Sequence, residues 1–188
     1  MYDLVQPIFH TDKIRNNKLF LSRKTLLMAS NERIWLGAGM YFWDNISNAK
    51  YWKRQKKKHD RYSTFSIIEA SLRCNLDDLL NLTDEKTVEE LQEYVEKCKK
   101  LYHHQTGIEI DLDSMKTGEI INFAYKCSEL FDNGKTFKCV KGLGLYNYSN
   151  KDNFIVKEDY SKGVHLTLRG KIIYAIRDKD FLYDCREA

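Results

Sequence analysis

Gly37 and Gly39, two residues apart, feed the four large side chains Met40-Tyr41-Phe42-Trp43, and the polar pair Asp44-Asn45 follows. Glycine at such a place lets the backbone bend or approach a ligand closely. An aromatic strand starting there can lay a ring flat against a planar heterocycle. Tyr41 is the residue best placed for that, whereas Trp35 and Trp43 read as core. Upstream, His10 closes a weakly alternating stretch that begins at Leu4. A neutral imidazole at a strand end can both donate and accept a hydrogen bond. A third grouping is cationic. Lys53, Arg54, Lys56, Lys57, Lys58, His59 and Arg61 crowd together and are interleaved with Tyr51, Trp52 and Tyr62. Such a run is either a solvated helix face or a surface for a phosphate backbone or a pyrophosphate. His103-His104 is a poor metal site, because adjacent side chains diverge on a helix or a strand. No Walker-type, GxSxG or HExxH motif is present.

These groups need elements to hold them. Leu4 to His10 reads as a first strand, Lys18 to Met28 as a short helix or turn, and Met40 to Trp43 as the aromatic strand. Asn45 or Ser47 can cap a helix starting near Asn48, with Ala49 and Trp52 inward. Ser63 to Leu72 is a short β-branched run and reads as a buried strand. Thr87-Val88-Glu89-Glu90 fits a capping box, with Leu91, Tyr94, Val95 and Cys98 at helical spacing behind it. Ser114 can cap a second helix whose apolar face carries Ile120, Ile121, Ala124 and Cys127. Strand patterns return over Thr136–Val140, Asn153–Val156, Gly163–Leu168 and Lys171–Ile176, and Arg169-Gly170 can turn the last two into a hairpin. Strands at both ends of a helical middle predict an α+β domain.

The chain has 188 residues, 43% hydrophobic and 13% aromatic, enough for one well-cored domain over residues 1–188 and too apolar for disorder. Its five cysteines include no CxxC pair, which excludes a zinc ribbon and reads as reduced core thiols. No apolar run is long enough to span a bilayer and the N-terminus lacks a signal pattern, so a cytoplasmic protein without a membrane partner is expected.

The segment Ser30-Asn31 followed by Trp35-Leu36-Gly37-Ala38-Gly39-Met40-Tyr41-Phe42-Trp43 resembles the nicotinamide-cradling strand of the ADP-ribosyltransferase fold. It is most similar to a bacterial toxin- and defence-type group. Further similarities keep their order along the chain: Leu79-Leu80-Asn81-Leu82-Thr83 to an "LDLT" segment, Val140-Lys141-Gly142 to "VRG", and Val164-His165-Leu166-Thr167-Leu168 to an "HIQI" strand. The resemblance implies split antiparallel sheets around a helical middle, with NAD, the substrate, in the cleft between them. It places His10 on the nicotinamide-side ribose, the Thr11 backbone on the carboxamide, Tyr41 on the nicotinamide ring and Phe42 or Tyr51 closing the pocket. Ser30, Gly39 and His165 complete the implied cofactor contacts.

The implied reaction breaks the nicotinamide–ribose bond through an oxocarbenium-like state, which an acidic group stabilises electrostatically. At that point the chain departs from the pattern. The third-strand acid falls on Thr167, the acid after "VRG" falls near Tyr146, the glycine after His10 is missing, and Lys141 replaces an arginine. Glu158 and Asp159, just upstream of the third strand, are the acids that a loop could supply in place of the missing one, Glu158 being the candidate. The implied activity is ADP-ribose transfer to a macromolecular acceptor (RNA, DNA or protein) in a toxin–antitoxin or anti-phage setting, with an antitoxin or regulatory protein as partner. A degenerate NAD- or partner-binding module and a basic nucleic-acid-binding protein are the alternatives.

Overall fold

A computed structural model describes residues 3–23, 25–29, 35–131, 137–146, 167 and 169–188. Its strands are β1 (Leu4–Lys13), β2 (Met40–Trp43), β3 (Phe65–Cys74), β4 (Leu79–Asn81), β5 (Cys139–Leu145), β6 (Gly170–Ile176) and β7 (Leu182–Glu187). They form one sheet in the order β4-β5-β6-β2-β1-β3-β7. Every described pair is antiparallel except β4 with β5. The helices are α1 (Ile14–Arg23), α2 (Ile46–His59), α3 (Glu85–Thr106) and α4 (Thr117–Phe131), and α3 and α4 fall between β4 and β5 in the chain. The class is α+β.

The sheet has a seam. β1 runs against β3 over ten residue pairs, from Leu4 with Cys74 to Lys13 with Phe65, and β2 runs against β6 over all four of its residues. Among the described residues the strands of the two halves pair only where Phe9 faces Trp43. The expected pair of antiparallel sheets is therefore one sheet whose halves part beyond that bridge.

Alternation along the strands sorts the core onto two faces. Ile8, Met40, Phe42, Ile68, Tyr174 and Ile176 pack on one, closed by Phe20 of α1. Trp43, Ile67, Val140, Ile173 and Ala175 pack on the other, closed by Ala49 of α2 and Ile121 of α4. Val95 and Cys98 of α3 meet Phe123, Ala124 and Cys127 of α4 in a third cluster, so the apolar helix faces lie where their spacing predicts.

The local signals are placed with some shifts. α2 begins at Ile46, two residues earlier than expected, with Asn45 as its cap: the Asn45 side chain accepts from the Asn48 N–H at 2.9 Å. α3 is capped by Asp84 rather than Thr87. The Asp84 carboxylate takes both the Thr87 N–H at 2.9 Å and its hydroxyl at 2.6 Å. A carboxylate at a helix start also meets the positive end of the backbone dipoles. Ser114 caps nothing; its hydroxyl donates to the Asp111 carbonyl and α4 begins at Thr117. The expected strands over 153–156 and 163–168 fall outside the described residues apart from Thr167, which is not in a strand. β6 has β5 on one edge and β2 on the other, so the hairpin expected at Arg169-Gly170 has no free edge along Ile173–Ile176.

Candidate active site at the seam

His10 sits one residue past the Phe9–Trp43 bridge, where β1 and β2 separate. Its imidazole is buried and lies against the Phe42 ring at 5.4 Å between centroids. Nδ1 is 2.6 Å from the Tyr41 carbonyl oxygen. A carbonyl only accepts, so Nδ1 carries the hydrogen and Nε2 presents a lone pair. Burial foremost lowers the His10 pKa from 6.5 to about 4. The Tyr41 carbonyl and Asp12 oppose that shift, while Lys56 reinforces it. The ring is neutral at pH 7. Nε2 is buried with no hydrogen-bond partner among the described residues; the nearest carboxylate oxygen, on Asp12, is 4.0 Å away.

Thr11 and Asp12 continue the edge of the seam. The Thr11 hydroxyl donates to the Ala49 carbonyl of α2 at 3.0 Å. The carbonyl of the Thr11 backbone, the group expected to pair with a carboxamide, is taken by the Lys56 ammonium at 2.8 Å, which also reaches Asp12 at 3.4 Å. Burial alone would raise the Asp12 pKa, but Lys56, the Lys13 N–H and Asn16 outweigh it and hold the carboxyl below its usual range. Asp12 is a seam residue that spacing did not single out, and Lys56, grouped by sequence with the cationic run, belongs to the seam instead. The one available signal was the phase of Lys56 on α2, which turns it away from the exposed cations and toward the sheet.

Tyr41 requires a correction. Phe9 and Trp43 face each other across the bridge and both pack on the α2 side of the sheet. Alternation then sends Tyr41 to that same side and His10 with Phe42 to the opposite one. The imidazole and the phenol therefore lean to different faces, and what they share is the Tyr41 carbonyl. The phenol hydroxyl donates to the Gly37 carbonyl at 2.7 Å and accepts from the Leu36 N–H at 2.9 Å, so it pins the glycine loop. Phe42 is corrected as well: it is fully buried in the α1-side core and supports His10 from behind.

The two glycines serve the protein's own chain. Gly37 has φ +77°, and a Cβ there would lie 2.5 Å from the Arg177 guanidinium and 2.6 Å from the Asn122 amide oxygen. That oxygen accepts from Arg177 at 2.9 Å and from the Ala38 N–H at 2.7 Å, and Arg177 stacks over Tyr125 at 4.2 Å. Gly39, expected at the cofactor, is buried. A Cβ on it would lie 3.1 Å from the Ile176 carbonyl oxygen. Gly37→Ala is expected to cost about 3 kcal/mol, from a left-handed backbone and a side chain forced into the Asn122–Arg177 pair. A urea unfolding midpoint that does not move would contradict this origin for the glycine.

Trp35, read as core, is 44% exposed. It caps an aromatic group on the α2 side, contacting Trp52 at 6.2 Å and Tyr146 at 5.8 Å. Trp43 and Tyr51 meet Tyr146 at 5.9 Å each. Tyr51 belongs to this group: the buried Lys171 ammonium lies 4.9 Å over its ring and donates to Asn48 at 3.0 Å. Thr167 is exposed, and its hydroxyl accepts from the Arg169 N–H at 3.0 Å. Ser30, Glu158, Asp159 and His165 lie outside the described residues. Among the described residues no group of His, Cys, Asp and Glu is arranged to hold a metal, and no helix is long and apolar enough to cross a membrane.

The chain is similar to an uncharacterized protein of the archaeon Methanocaldococcus jannaschii, at 24% identity over 182 residues. The match spans 91% of this chain and 81% of that protein. No protein-family model and no solved structure matches the chain.

Proposed function

We propose that the chain is an NAD-dependent ADP-ribosyltransferase with its reaction centre at the seam. The observation that carries this reading is the neutral, buried His10 whose Nε2 lone pair has no partner in the described structure. A buried acceptor left unmade costs about 1–3 kcal/mol, and a ribose hydroxyl supplies the missing donor. On this reading the nicotinamide-side ribose meets His10 on its own face of the sheet, and Tyr41 acts through its carbonyl, which fixes the imidazole. The nicotinamide–ribose bond breaks with its electron pair passing to the pyridinium nitrogen. The cationic sugar carbon is then captured by an acceptor nucleophile, which gives up its proton. Asp12 is the described carboxylate nearest to His10, and Glu158 is the candidate acid from outside the described residues. The resemblance supports a macromolecular acceptor and a conflict setting with a neutralising partner.

A second reading, an NAD-binding module without transfer, is favoured by Lys56. Its ammonium sits on the Thr11 carbonyl, adding positive charge where the sugar must itself become positive. Incubation with NAD labelled in the nicotinamide ring separates the readings. Nicotinamide release supports transfer, binding without release supports the module, and absence of both sinks each of them.

Lys56→Met keeps most of the aliphatic stem but frees the Thr11 carbonyl for a carboxamide. One such hydrogen bond is worth about 0.5–1.5 kcal/mol, so NAD affinity measured by titration calorimetry is expected to rise roughly two- to tenfold. A weaker complex would show that the ammonium contacts the ligand rather than displacing it.

A further inference from the structure

Cys74 closes β3 and Cys139 opens β5. In the sheet order β6, β2 and β1 stand between those two strands, which on a flat sheet would set them about 19 Å apart. The chain brings their ends together by another route. The short 3₁₀ turn Leu76–Asp78 leads from β3 into β4, and β4 lies beside β5 with Leu79 opposite Cys139. The Asn75 carbonyl accepts from the Asp78 N–H at 3.2 Å, and the Asp78 carbonyl accepts from the Lys138 N–H at 2.9 Å. Backbone bonds therefore run from the neighbour of one cysteine to the neighbour of the other. Both are free thiols, fully buried in the α1-side core, and they are hydrogen-bond partners of each other. The Cys139 thiol holds the Cys74 pKa below its usual value, over the opposing effects of burial, Asp78 and Asp3. Cys139 is pushed up by the Cys74 thiol and by burial.

We infer that Cys74 and Cys139 are a paired oxidation site, at which a peroxide converts the two thiols into a disulfide that ties β3 to β5. The pair lies at the rim of the core. Asn75 is exposed and Leu76 is 61% exposed, so opening of the strand end admits a small oxidant without unfolding the domain. A buried thiol by itself is inert, but a second thiol already in contact resolves the first product in place. The Cys74 sulfur attacks one peroxide oxygen, the O–O bond breaks, and the other oxygen leaves as water with the thiol proton. The Cys139 sulfur then attacks the sulfenic sulfur of Cys74. The S–O bond breaks, the hydroxyl leaves as water with the Cys139 proton, and the S–S bond forms. The two sulfurs have lost two electrons and the peroxide has become two waters. The seam gives this bond its consequence. Among the described residues strand pairing links the halves only at Phe9 and Trp43, whereas Cys74 pairs with Leu4 at the far end of β1. The disulfide is a second, covalent tie between the halves, and it is independent of the transferase reading.

The test treats the full chain, reduced and then freed of reductant, with a modest excess of hydrogen peroxide under native conditions. Remaining thiols are blocked with iodoacetamide in denaturant and the chain is digested without reduction. Mass spectrometry should find the Cys74 and Cys139 peptides joined, two hydrogens lighter than their sum, with Cys98, Cys127 and Cys185 alkylated. The cross-link closes a loop of about 65 residues, so the thermal midpoint should rise by roughly 5–15 °C and fall back when dithiothreitol is added. Cys139→Ala removes the resolving thiol, and Cys74 in that variant should persist as a sulfenic acid that dimedone labels. Cys185→Ala should cross-link as the wild type does. The inference is overturned if Cys74 and Cys139 are recovered alkylated, or if either is joined to another cysteine or to a second chain. It is also overturned if the linked protein melts no higher than the reduced one, or if a folded Cys139→Ala protein takes up no dimedone at Cys74.

Discussion

His10→Ala is expected to lower nicotinamide release from NAD by about 10²–10³-fold, the usual loss when one preorganised polar group is removed from a reaction centre. The magnitude follows from how the imidazole is held. Its Nδ1–H is committed to the Tyr41 carbonyl, the ring is backed by Phe42, and burial keeps it neutral. Nε2 therefore presents its lone pair in one tautomer and one orientation, and on the proposed reading a substrate hydroxyl meets it with no reorganisation needed. His10→Gln is the companion variant, because its amide can still donate to the Tyr41 carbonyl and fill the space. Chromatographic quantification of free nicotinamide checks both, alongside circular dichroism to confirm folding. A folded His10→Ala protein that cleaves NAD at the wild-type rate would remove His10 from the reaction. The pH profile carries a second signature. With a pKa near 4, the rate should show no histidine ionisation between about pH 8 and pH 5.

The same residue makes the fold acid-sensitive. His10 titrates at about 4 when folded, against 6.5 when exposed. Between those values the unfolded chain binds a proton that the folded chain refuses, so stability rises with pH through this window. The contribution is complete above pH 6.5 and declines as pH falls toward 4. It amounts to about 3 kcal/mol, from about 1.4 kcal/mol per pKa unit. Asp12 acts in a different window. Its folded pKa is depressed, so its contribution is present above the ordinary carboxyl value and is lost only as pH falls below it. Urea unfolding at about pH 7, 5.5 and 4 measures the slope. His10→Gln should remove about 3 kcal/mol of the difference between the ends, and an unchanged slope in that variant would mean that the imidazole is not buried as described.

Much of the architecture was legible because its causes are local. The helical spacing of Val95, Cys98, Ala124 and Cys127 marked the apolar faces of α3 and α4, and the Asn45 side chain stops and starts the chain at α2 wherever that helix packs. The β-branched run in β3 and the aromatic run in β2 are likewise short-range signals. Errors began where two local signals competed. Asp84 and Thr87 can each cap a helix, and the carboxylate, able to take both the Thr87 N–H and its hydroxyl, wins. α1 carries a weak apolar pattern, and burial of Phe20 in the α1-side core accompanies it as a helix over Ile14–Arg23.

By itself the sequence determined the α+β class and most element positions. It could not decide which way Tyr41 faces. That depends on Phe9 standing opposite Trp43, a pairing between strands separated by a whole helix, and a one-residue slip would exchange the two faces. Lys56 on the Thr11 carbonyl and Arg177–Asn122 behind Gly37 are likewise contacts between distant segments, chosen by packing. Short-range periodicity records which residues must be buried; only the assembled sheet decides what each buried group is buried against.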